Sequence, residues 1–229
     1  PAAMQNFISL FIKSAREEDE KTSLQELIDG FDVANISLGG PVFDTSKLDW
    51  LNGRYMREEL TTAQFLEEVR KWALNDEYLM PIAEMAQSRI VRLSDLGALT
   101  APFFMNRIDG LTAEKLRDGV KIEADQQRAA YTLALQQFDA MIEWNKEGVD
   151  AALRKTAAAL EIKLKDMIRA FYLTVLGSPQ GVPLFDAITH LGRDILRERL
   201  RHAMELLGPA SKKETEAWTA ALARAEASE

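Results

Sequence analysis

Residues 183–207 read PLFDAITHLGRDILRERLRHAMELL, and their apolar positions decide the fold class. Leu184, Ile188, Leu191, Ile195, Leu196, Leu200 and Met204 recur at helical steps, so one stripe of an α-helix carries them. An unbroken helix over this span would be about 37 Å long at about 1.5 Å per residue. The same spacing runs outward through Phe65, Val69, Trp72 and Leu74, and again through Tyr131, Leu133, Phe138, Met141 and Ile142. No run alternates apolar and polar residues between turn signals, so strands have little to build on. The spacing predicts an all-α protein, a bundle of helices.

Helix starts are written locally. Ser23 with Glu26 and Ser211 with Glu214 form capping boxes, in which hydroxyl and carboxylate satisfy free backbone amides. Thr61 with Gln64 is a weaker copy. Leu38-Gly39-Gly40-Pro41 predicts a turn before a helix near Asp44, and Asp109-Gly110 ends a loop before Thr112, a candidate cap. Gly177-Ser178-Pro179-Gln180-Gly181-Val182-Pro183 joins two helices. After Gly208 an apolar stripe through Trp218, Leu222 and Ala225 predicts one more helix.

The 229 residues include 28 Lys and Arg against 36 Asp and Glu, a net charge of −8, and no cysteine. The missing cysteine excludes a disulfide framework, thiolate zinc sites and cysteine nucleophiles. No apolar run approaches the roughly 18–20 residues that span a bilayer, so the chain is expected to be soluble and cytoplasmic, with no membrane partner. Net acidity argues against nucleic acid until the charge is located. Residues 151–213 hold eleven basic against six acidic residues, +5, which leaves −13 for the rest. That segment is expected to present a local basic face.

Catalytic signatures are missing. His190 and His202 stand twelve residues apart on one predicted helix, too far to share a metal, and read as surface or satisfied histidines. Glu17-Glu18-Asp19-Glu20 lacks calcium-loop spacing and reads as a solvated turn. No phosphate-binding glycine loop or nucleophile elbow occurs.

Two stretches are more specific. The first is Ile36-Ser37-Leu38-Gly39-Gly40-Pro41-Val42-Phe43-Asp44, then Lys47-Leu48, Trp50, Asn52-Gly53, Tyr55 and Arg57. The second is Pro183-Leu184-Phe185, then Leu191-Gly192-Arg193-Asp194 and Arg199-Leu200. Together with Ala3-Met4-Gln5-Asn6-Phe7 they resemble the C-terminal part of bacterial-type glutamyl-tRNA synthetase, over about residues 1–208. The family's catalytic motifs do not occur. The resemblance implies an all-α cage: residues 1–60 as the end of the stem-contact region, 61–110 as a first helical anticodon-binding subdomain, and 111–229 as a second with a C-terminal extension. It implies a glutamate-specific tRNA as partner, the catalytic half of the same enzyme as neighbour, and a monomer. No cofactor is expected in this segment, while the parent enzyme uses ATP and magnesium.

The same resemblance assigns residues. Arg89, in Gln87-Ser88-Arg89-Ile90-Val91-Arg92-Leu93, matches the arginine that reads an anticodon cytosine; the bland reading pairs it with Glu84 or Asp95. Arg169 resembles the arginine of the family's Pro-Leu-Arg segment, here Met167-Ile168-Arg169, which implies a contact with the anticodon; the bland reading is a plain helix-surface residue. Gly181 would let backbone approach a base, and Leu184 would pack on a base face. Lys47, Arg57 and one or two of Arg193, Arg197, Arg199 and Arg201 would meet phosphates, the rest pairing with Asp194 and Glu198. Trp50 and Tyr55 read as core. Two alternatives stay open: a helical protein–protein module, and an RNA-binding paralogue without aminoacylation.

Overall fold

A computed structural model describes residues 2–10, 23–33 and 43–227. Among them there is no strand, and the α-helices run α1 Ala2–Leu10, α2 Leu24–Asp29, α3 Thr45–Glu58, α4 Thr62–Trp72, α5 Asp76–Gln87, α6 Asp95–Thr100, α7 Ala113–Arg117, α8 Ala124–Ala140, α9 Lys146–Ala159, α10 Leu164–Leu176, α11 Leu184–Leu207 and α12 Lys212–Glu226. The protein is all-α, as the periodicity predicts. Turn 38–41, the start of the first quoted motif and the acidic run 17–20 lie outside the described residues. The chain divides into two compact units, Pro1–Asn75 and Asp76–Glu229, so α4 belongs to the first.

In the first unit α1 packs on α3, burying Ala3, Phe7 and Leu51, with Leu48 and Tyr55 alongside. The Asp44 carboxylate accepts from the backbone amides of Ser46 and Lys47 at 2.9 and 3.2 Å and starts α3. All three capping boxes form, at Ser23, Thr61 and Ser211. One expectation fails: Trp50 is not core. It is 45% exposed, with the Arg54 guanidinium 5.2 Å from its ring. The buried face of α3 follows Leu48, Leu51 and Tyr55, and Trp50 lies about 100° off it.

The second unit is built on α8, α9, α10 and α11, whose apolar faces meet around Tyr131, Phe138, Leu153, Phe171 and Leu196. Two buried polar side chains in this core, Gln127 and Tyr131, are matched. Gln127 Nε2 donates to the Leu116 carbonyl and to Tyr131 Oη, and that hydroxyl meets the Ala170 carbonyl and Thr174 Oγ1. Burial pushes the Tyr131 phenol up to about 12. The tail helix α12 packs on α8 and α9, burying Leu222, with Arg128–Glu214 and Gln136–Thr219 bonds at its rim.

Two departures concern helix lengths. The stripe through Met141 and Ile142 does not continue α8, which ends at Ala140 and leaves Ile142 almost wholly exposed. The long helix is broken: Gly192 has φ 81°, ψ 168°, a conformation essentially confined to glycine, so α11 consists of two arms. Trp144 Nε1 donates to the Thr189 carbonyl before the break, and Arg193 Nη2 donates to the Met141 carbonyl after it.

Candidate nucleic-acid interface

A groove of about 380 Å³ opens in the second unit between two segments some ninety residues apart in sequence. Arg89, Asp95, Leu99 and Pro102 form one wall; Leu176, Gln180 and Gly181 form the other. The first wall is shaped by Asp95. Its carboxylate accepts from the amides of Val91 at 3.2 Å and Arg92 at 2.9 Å, folding the chain back between α5 and α6. Those amides hold the Asp95 carboxyl below the usual range. Asp95 also meets Arg92 at 3.5 Å, and among the described residues Arg89 enters no ion pair with Glu84 or Asp95. Arg89 is an exposed arginine at the rim.

The second wall begins where α10 stops. Gly177 caps it in the left-handed region (φ 69°), and a Cβ there would strike Ile108 Cγ2 at 2.6 Å. Only glycine fits, and the chain turns sharply into the loop that presents Gln180 and Gly181. Gly181 is different. A Cβ added to it would meet Leu176 Cδ1 at 3.6 Å and Leu99 Cδ1 at 4.0 Å, ordinary contacts with residues of both groove walls. The missing side chain widens the groove without being required by the backbone.

The other expected residues lie apart from this groove. Leu184, 3% exposed, is a core residue packed in the interior, so it has no free face for a base. The helical stripe that made it visible is the reason: its period places Leu184 with Ile188 and Leu191 inside. Arg169 is tied to the turn before α8, donating from Nε to the Asp118 carbonyl at 2.8 Å and lying 3.4 Å from its carboxylate. Arg193 spends Nη2 on Met141 and sits 5.6 Å from the Trp144 ring centre, half-buried. Lys47 and Arg57 stand at the two ends of α3 in the first unit, Arg57 folded over Gly53.

Nor does the +5 segment form one open basic face. Arg154 pairs with Asp150, Arg197 with Asp139 and Asp194, and Lys212 with Glu216. Glu198 pairs with Arg107 at 2.5 Å instead of with an arginine of its own helix. Arg199 is buried. Lys163, Lys165, Arg201 and Lys213 stay exposed, outside ion pairs among the described residues. Four of the segment's eleven basic residues, Arg154, Arg169, Arg197 and Lys212, thus stand in ion pairs, and the remaining positive charge is scattered.

His190, expected to be a surface or satisfied histidine, has one nitrogen that is neither. Nε2 is buried without a hydrogen-bond partner, while the ring lies 4.7 Å from that of Tyr78 and 5.6 Å from that of Phe103. Asp95 and Arg199 have other roles than the sequence predicts: Asp95 holds the Val91 and Arg92 amides in place of Arg89, and Arg199 is buried, bonded to backbone carbonyls and not to phosphate or to Asp194 or Glu198. Arg199 carried one available signal: it lies three residues after Leu196 and four before Ala203, on the buried face.

A rim of planar cationic donors, an amide and a carboxylate over apolar walls suits an unpaired base: the apolar surface takes its face and the polar rim its edge. Comparisons with known proteins place the chain in a family. Residues 64–204 match the family model of the anticodon binding domain. The chain is 41% identical to a glutamate–tRNA ligase of Stutzerimonas stutzeri over 97% of its own length and 45% of the relative's. It is 39% identical to one of Pseudomonas aeruginosa over 95% and 44%. It thus spans less than half of these relatives, corresponding to their C-terminal part. Among solved structures, a glutamate tRNA ligase from Elizabethkingia meningosepticum superimposes with a TM-score of 0.51 at 19% identity, over 91% of this chain and 41% of that one, a likeness of fold. The chain belongs to the anticodon-binding domain family, in the form found in glutamate–tRNA ligases.

Proposed function

We propose that this chain recognises the anticodon of glutamate tRNA for a parent ligase that joins glutamate to that tRNA with ATP and magnesium. The observation that carries the reading is the groove itself, where Arg89 and the Gln180–Gly181 loop converge from distant sequence. In it Arg89 acts as the base-reading donor, its fixed, permanently charged fork suited to the acceptor edge of a pyrimidine. Gly181 leaves the floor clear for the base, and Leu184 supports the loop from the core. Arg169 contacts the anticodon outside this groove, and Lys47, Arg57 and Arg193 act on phosphates at further points along the RNA, positioning it without reading it. Residues 1–60 serve the tRNA stem and 61–110 and 111–229 the anticodon, with the parent working as a cytoplasmic monomer.

ATP and magnesium belong to the portion of the relatives that this chain does not span. Among the described residues no cluster of three or more histidine or acidic side chains could hold a metal, and no bond-making step is assigned here.

Titration with an anticodon stem-loop carrying the glutamate anticodon, at two salt concentrations, tests the reading. Binding should weaken as salt rises, because phosphate contacts release counterions. Arg89→Gln should cost about 1–3 kcal/mol against the cognate base and less against a substituted one. A uniform loss over all anticodon variants would refute base reading by Arg89.

A further inference from the structure

Arg199 heads the fully buried side chains by volume and is 1% exposed, yet among the described residues it meets no carboxylate. Its partners are backbone carbonyls. Nη2 donates to Pro102 and Met105, Nε to Asn106 at 3.2 Å, and Nη1 to Val175. The Tyr78 hydroxyl donates to the Phe103 carbonyl at 2.5 Å. Four of the five carbonyls from Pro102 to Asn106 therefore accept from just two side chains. Burial pushes the guanidinium down to about 10, still charged at neutral pH.

The placement of these carbonyls gives them meaning. Pro102 lines one wall of the groove, and Val175 immediately precedes Leu176 on the other. One guanidinium thus bonds the backbone of both walls. We infer that Arg199 is a positioning residue for base recognition, a buried fork that fixes the spacing between the Arg89–Pro102 wall and the Leu176–Gly181 wall. The inference rests on the reading that this groove takes an anticodon base. Lysine would keep the charge but not the planar fork, so it cannot serve both walls in this geometry.

Amide hydrogen exchange on the RNA-free chain reads the clamp, and stem-loop binding reads its use. Arg199→Lys is expected to speed exchange about tenfold at both 95–106 and 176–182, the loss of a bond or two to a charged group, while α9 keeps its protection. It is also expected to lower the affinity ratio between cognate and base-substituted stem-loops about tenfold at an unchanged salt dependence. If only one wall loosens, or neither, Arg199 does not join them and the inference fails. If both loosen while discrimination persists, its role is structural alone and the inference also fails. A wild-type chain that binds no stem-loop overturns the functional reading and this inference together, an outcome recognised without any variant. Should Arg199→Lys not fold, native-state exchange of the wild-type chain in low denaturant decides the matter. The two walls should open in one step; separate openings would overturn the clamp.

Discussion

Gly181 and Leu184 stand three residues apart and have opposite relations to the groove. Gly181→Ala should leave the melting temperature nearly unchanged, within about 0.5 kcal/mol of stability, because its backbone and neighbours tolerate a Cβ. It should weaken stem-loop binding by filling the groove. Leu184→Ala should do the reverse: about 2–5 kcal/mol lost in denaturant unfolding, from the cavity left in a closed core. His190 adds a pH dependence. Burial, outweighing a backbone hydrogen bond at Tyr78, lowers its pKa from the ordinary 6.5, so the folded chain binds this proton less readily than the unfolded one. Stability is then fully present above 6.5 and falls as pH drops below it. Urea midpoints between pH 7 and 5 should show that slope, and His190→Phe should remove it. Arg89 was legible as a candidate through its motif position, and the structure adds that it is exposed at the groove rim. Arg199 was not, since sequence shows a charge and not the four carbonyls, up to 97 residues away, that make its burial tolerable.

Helix starts were the most legible elements, because a capping box is complete within four residues. Ser23, Thr61, Thr112, Ser211 and Asp44 all cap as their local sequence predicts. Helix ends and breaks were less so. The stripe from Leu184 to Met204 keeps its period through Gly192, and period alone carries no mark of a single residue at φ 81°. A mid-helix glycine was the only hint. Gly192→Ala should cost about 1–3 kcal/mol in thermal or denaturant unfolding, all of it conformational, since no atom lies within 4 Å of the added Cβ. A stabilised variant would mean that the two arms join into one rod without penalty.

Among the described residues the two compact units differ in how much each buries. The buried cluster of the first is, among those residues, Ala3, Phe7 and Leu51, while α4 leaves Phe65 and Trp72 at 46% and 65% exposure. The second encloses a continuous core from Ile82 to Ala203. Limited proteolysis should therefore cut first within residues 1–75 and leave a fragment near Asp76–Glu229 that retains its helicity. Early cleavage inside α8–α11 would contradict that order. The net charge of −8 was the least informative property of the whole chain. Averaging hid the +5 segment, and counting charges by segment hid its pairing with Asp139, Asp118 and Asp150.

The tie made by Arg199 also sets an order in time. A chain synthesised from its N-terminus has both groove walls by about residue 182, but their common donor arrives only later, at residue 199. The intervening residues supply the first arm of α11 and the Gly192 break, which aims the second arm back at Pro102 and Val175. A growing chain therefore owns every group that would touch a base before it owns the group that spaces them. On the proposed reading, base recognition is complete only once residue 199 has been made, and a product cut short before it has both walls without the group that spaces them.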